Sequence, residues 1–218
     1  MNRFPSQTMI TDAMLRGTIK AAENFLHWTN NRLFLSHGPN HIISIYVAQE
    51  IAALEDAPEI FIDATISDIL RCSLPDREAY TGFMHKNRLS RGTFSITLDE
   101  RFAHHSDDDS ISKVIMSINN GVRNAKLEYL NEIEVICKML DCDTSLEYGI
   151  FGFYSDLSIT ARKKLDKRLP EFIKSFDAVV DGFPRLRSKY IGSDIQKIEE
   201  SGEWAAGCYI IEPIYSVY

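Results

Sequence analysis

Apolar residues crowd positions 114–118 (VIMSI), stop at Asn119-Asn120-Gly121, and return at Leu127, Leu130, Ile133, Ile136, Met139 and Leu140. Within a few positions the spacing changes from a strand-like run to a repeat near 3.6 residues. Asn-Gly tolerates the positive φ of a tight turn. The pattern therefore predicts a buried strand, a turn and an amphipathic helix over 124–140. A second apolar run at 146–154 (LEYGIFGFY) predicts another strand. Strand, helix, strand in succession implies parallel strands joined by a right-handed crossover.

The rest of the chain arranges itself around that unit. Residues 8–30 carry one broad apolar helical face, and 41–54 carry a second, with Asn40 placed to cap it. Residues 59–62 form a short apolar run that predicts a strand, and 65–70 a short helix or helical turn. Pro75 and Gly82 make 73–89 an irregular loop. The stretch 93–98 (TFSITL) alternates and is rich in β-formers, so it predicts a strand. Residues 101–112 are a polar connection containing His104, His105 and Asp107–Asp109. A helical pattern spans 159–180, which Pro170 should kink or split. Two more strands are expected at 186–198 and 204–211, turning at Ser201-Gly202. There is no internal repeat or linker. The expectation is a single domain over 1–218, with a core at about 40–155, an N-terminal helical addition at 1–39 and a C-terminal addition at 156–218.

Composition narrows the function classes. Hydrophobic residues make up 44% and charged residues 25%, the balance of a soluble globular protein. No apolar run reaches the ~20 residues that cross a bilayer. The first residues, MNRFPSQTM, lack an apolar signal core, so the expected location is cytoplasmic and no membrane partner is expected. Cys72, Cys137, Cys142 and Cys208 are far apart and form no CxxC pair, which indicates neither zinc nor a disulfide framework. Cys137 and Cys208 sit in apolar surroundings as small core residues. A net charge of −7 supplies no general attraction to nucleic acid, although it leaves room for a local basic groove.

The element order contains αβββαβ, and short patterns fall on it. Gly92-Thr93-Phe94-Ser95-Ile96 lies on one strand. Ile115-Met116-Ser117-Ile118-Asn119-Asn120-Gly121 lies on the next. Glu132 follows in the helix, and GIFGFY at 149–154 in the strand after it. Over roughly 42–154 the chain resembles the restriction-endonuclease-like, or PD-(D/E)XK, superfamily. The resemblance implies an α/β fold with a restriction-endonuclease-like αβββαβ core. In that core a mixed central sheet is flanked by helices, and the N-terminal helix and the C-terminal helix plus hairpin are additions. It also implies a site in which an Asp and a Glu bind Mg²⁺ while a Lys orients or activates the water that attacks a phosphate. The matching positions here are Ser95, Ser117 and Asn119, all uncharged. The expectation is a degenerate member with no cofactor. It would act by binding a protein partner or nucleic acid, with bacterial or phage defence as a setting. Enzymatic activity is left open, with the uncharged positions standing against it.

Two alternatives remain. One is an active Mg²⁺-dependent nuclease with a displaced site drawn from Asp99, Glu100, Lys113, Glu128 and Glu132. The other is an α/β interaction protein unrelated to nucleases. Lys163, Lys167 and Lys174 are the candidates for a phosphate-facing helix surface, although Asp166 and Glu171 interleave with them. A homodimer is left open.

Overall fold

The computed structural model describes residues 4–87, 92–100 and 111–214. Among these, the elements in chain order are α1 (Gln7–Trp28), a 3₁₀ turn (Leu35–His37), α2 (His41–Ala52), β1 (Glu59–Thr65), α3 (Ile66–Ser73), α4 (Arg77–Asn87), β2 (Thr93–Glu100), β3 (Ile111–Asn119), α5 (Leu127–Leu140), β4 (Tyr148–Ser158), α6 (Leu165–Val180), β5 (Leu186–Gly192), β6 (Gln196–Ile198) and β7 (Gly202–Pro213). The seven strands form one mixed sheet in the order β1-β2-β3-β4-β7-β5, with β6 pairing β7. The pairs β1–β2 and β2–β3 are antiparallel, and β3–β4, joined by α5, is parallel. The predicted strand–turn–helix–strand unit is therefore present, with the helix beginning at Leu127 and the second strand running from Tyr148 to Ser158. Gly121 takes φ +71° at its turn, where a Cβ would come within 3.0 Å of the Ser36 Cβ.

Helices cover both faces of the sheet. On one, Ile10, Met14, Ile43 and Val47 of α1 and α2 pack on Ile96, Val114, Met116 and Ile150. On the other, Ile133, Ile136, Phe172 and Phe176 of α5 and α6 pack on Ile115, Phe151, Phe153 and Tyr209. Strand β3 feeds both cores because alternate residues point to opposite faces. Gly17 lets α1 lie against α2, since a Cβ there would fall 2.6 Å from the Val47 Cα.

Glu50 of α2 clamps the same two helices, with Lys20 Nζ at 2.5 Å and Arg16 Nε at 2.9 Å. Hydrogen bonding from Lys20, then from Arg16, holds the Glu50 carboxyl below its usual range. A depressed carboxyl stabilises the fold above its unfolded value and loses that contribution as pH falls through the folded value. Glu50→Gln should therefore flatten part of the loss of stability on acidification below about pH 4.5. The change should stay under ~1 kcal/mol because both cations are half exposed and screened. Urea melts of both proteins from pH 6 to pH 3 measure it, and an unchanged slope for Glu50→Gln would count against the clamp.

Several sequence expectations are corrected. Pro170 does not split the helix, since α6 runs unbroken from Leu165 to Val180. A proline inside a helix costs ~3 kcal/mol. Burial of Leu165, Leu169, Phe172, Phe176 and Val180 outweighs this at ~1.5–3 kcal/mol per side chain. That helix also starts later than position 159, because β4 continues through Ser158. The expected loop at 73–89 contains α4, anchored by buried Phe83 and begun by Asp76, whose side chain accepts from Ala79 N at 2.8 Å. Asn40 stands at the N-cap of α2 but makes no side-chain cap; its backbone is helical rather than in the extended conformation that a capping side chain usually requires. The stretch 186–198 is two strands, interrupted where Ser193 leaves the ladder to exchange hydrogen bonds with Ala206. All four cysteines are free, and Cys137 and Cys208 are buried as read. No helix among the described residues is long and apolar enough to cross a membrane.

Candidate functional site

Strands β2 and β3 and helix α5 bring Ser95, Ser117, Asn119 and Glu132 into one cleft of 330 Å³. The pairing of Ile96 with Met116 sets Ser95 beside Ser117. Ser117 and Asn119 share the α5 face of β3, because they are two residues apart on a strand. Glu132 reaches them from the second turn of α5, three residues after Tyr129 and four before Ile136, at the edge of the side of the helix that packs on the sheet.

The polar groups bond to one another. The Ser117 hydroxyl donates to Glu132 Oε2. Asn119 Nδ2 donates to the same oxygen at 2.6 Å and approaches Ser117 Oγ at 3.3 Å. Ser95 Oγ accepts from the Ile118 amide at 2.9 Å, so a side chain replaces a carbonyl where the β2–β3 ladder ends. All four residues are half-buried. Among the described residues no Lys or Arg forms an ion pair with Glu132. Ile66, Phe94 and Val135 make apolar walls, and Asn131 adds a second amide.

This donor set does not fit Mg²⁺. The ion demands near-octahedral oxygen ligation and gives up its water reluctantly. One carboxylate faces it, and one oxygen of that carboxylate already receives two donors. Among the described residues no group of three or more His, Cys, Asp and Glu side chains stands at metal-holding spacing.

The displaced-site candidates are spread out. Asp99 is buried at an irregularity of the β2–β3 ladder. It is four residues, or ~13 Å, along β2 from Ser95. Lys113 lies 3.5 Å from Glu100 and 3.2 Å from Glu147, at the end of the sheet away from Asn119. Glu128 is exposed at the start of α5 and pairs with Lys126 at 3.2 Å. Of the five, only Glu132 lines the Ser117 cleft. His104, His105 and Asp107–Asp109 lie outside the described residues.

The basic candidates are equally dispersed. Lys163 precedes α6 and pairs with Glu171, Lys167 stands 4.0 Å from Asp166, and Lys174 is exposed on the helix. A larger cleft of 790 Å³ lies between the start of α6 and the β6–β7 turn. Its Lys164 and Glu203 hold backbone groups, Ile159 O at 3.0 Å and Leu165 N at 2.5 Å, so they serve the fold.

One cluster escaped the sequence reading. Arg123, just past the turn, donates through Nε to Asp156 O at 3.0 Å and through Nη2 to Asp156 Oδ2 at 2.7 Å. Nη2 also reaches Ser36 Oγ at 3.0 Å. Asn120 Nδ2 donates to Leu35 O at 2.7 Å. These bonds tie the turn after Asn119 to β4 and to the 3₁₀ turn, and so hold the end of β3 that carries the site. The available signal was an Asp inside the apolar run of β4 together with an Arg beside an Asn-Gly turn. No family model, curated protein or solved structure matches this chain.

Proposed function

We propose that this chain is a non-catalytic, nuclease-like protein that works by binding. The observation that carries the reading is the meeting of Ser95, Ser117, Asn119 and Glu132 in one cleft on β2, β3 and α5. Those are the places where the resemblance puts two carboxylates, a lysine and a helix acid. The order α2-β1-β2-β3-α5-β4, with its antiparallel, antiparallel, parallel pairings, supports the same reading. Phosphodiester hydrolysis on such a scaffold needs a metal to stabilise charge and generate hydroxide. Two hydroxyls, an amide and one hydrogen-bonded carboxylate supply neither function. The partner is a protein or a nucleic acid.

The test is metal binding and cleavage by the full chain. Calorimetric titration with Mn²⁺ should show no stoichiometric tight binding. Incubation with labelled DNA and RNA in Mg²⁺ or Mn²⁺ should release no fragments. Metal-dependent cleavage that disappears in Glu132→Ala would overturn the reading and restore the displaced-site nuclease.

A further inference from the structure

We infer that the Glu132 cleft receives an organic cation, a guanidinium or primary ammonium on a short alkyl stem. This rests on the reading of the cleft as a binding site and names what it binds. Ser117 and Asn119 hold Glu132 Oε2 in place but bring no positive charge to it. Among the described residues no Lys or Arg pairs with this carboxylate. The result is a positioned, half-buried anion at the wall of a cleft. A ligand there recovers the Coulomb energy that the neutral neighbours leave unused.

The rest of the lining decides which cation. A metal ion needs a shell of oxygens, and the cleft does not offer one. A guanidinium or ammonium carries its own N–H donors and needs acceptors. Glu132 Oε1 can supply one, because both of the carboxylate's contacts with described residues fall on Oε2. The side-chain amide of Asn131, also in the lining, can supply another. Ile66, Phe94 and Val135 offer apolar surface to methylene groups. A volume of 330 Å³ stands at the low end of ligand clefts, which run from about 300 to 1,000 Å³. That suits one side-chain-sized group.

The probes are n-butylguanidinium, n-butylammonium, neutral n-butylurea and the capped tripeptide Gly-Arg-Gly, titrated at low salt into the full chain by calorimetry or amide NMR. Both cations should bind, and butylurea should bind about tenfold more weakly or worse. Glu132→Gln keeps an acceptor for Ser117 but removes the charge, and should weaken the cations by a similar factor. Val135→Phe fills the cleft from a half-exposed position and should abolish binding even if Glu132→Gln fails to fold. Tighter binding of the tripeptide than of butylguanidinium assigns the cation to an arginine of a protein partner, and the reverse assigns it to a small molecule. Equal affinity for butylguanidinium and butylurea, or cation binding untouched by Glu132→Gln and Val135→Phe, overturns the inference and leaves the non-catalytic reading standing. Tight Mn²⁺ binding accompanied by cleavage overturns that reading instead.

Discussion

The triple variant Ser95→Asp, Ser117→Glu, Asn119→Lys should remain folded and should melt ~5–10 °C higher in excess Mn²⁺ than in chelator. All three positions are half-buried walls of an open cleft, so the new charges keep contact with water. Three carboxylates, at 95, 117 and 132, would then face one another. Adjacent carboxylates repel, and a divalent cation relieves that repulsion by supplying the charge they share. The lysine at 119 would lie where the Asn119 amide now reaches Glu132. Metal present at a hundred times its dissociation constant contributes ~2.7 kcal/mol to stability. Each kcal/mol moves the melting temperature of a chain this size by ~2–4 °C, which sets the expected shift. Differential scanning fluorimetry with and without Mn²⁺ reads it directly. A variant that melts identically in both, or one already unfolded, would show that the four positions do not form a metal-sized cluster. The nuclease-like reading would then lose its main support.

Arg123→Ala should destabilise the protein by ~3 kcal/mol or more, lowering its melting temperature by at least ~6 °C. Asp156 is 1% exposed, and Arg123 makes the ion pair with it at 2.7 Å. Removing the guanidinium strands a buried carboxylate, which costs far more than the pair contributes over two apolar residues. The same truncation frees Asp156 O and Ser36 Oγ, loosening the turn after Asn119. Asp156→Asn in the Arg123→Ala background should recover part of the loss, because the uncharged amide has less desolvation to offset. Chemical melts of the wild type, Arg123→Ala and the double variant form the comparison. A loss below ~1 kcal/mol for Arg123→Ala would mean that the pair behaves as an ordinary surface contact.

The repeat of apolar residues was enough to place β2, β3, β4 and α5. In those segments the period is long and clean, and burial on one or both faces leaves few alternatives. It was not enough for α4, where Pro75 just before the helix and Gly82 within it suggest a loop while a single buried Phe83 holds the helix. Nor did it settle Pro170, where a local penalty yields to tertiary burial of five side chains. The site divides the same way. Ser117 and Asn119 share a face through strand alternation alone, a local property of the chain. That Glu132 meets them depends on how α5 is rotated over the sheet, which the packing of Tyr129, Ile133 and Ile136 decides. Arg123 and Asp156, 33 residues apart, carry no periodic signal that pairs them. The sequence by itself determined β2, β3, β4 and α5 and the uncharged nature of Ser95, Ser117 and Asn119, since these follow from residue type and spacing. Only the tertiary structure decided which side chains converge, because convergence depends on register and helix rotation, and these are set by packing between segments distant in the chain.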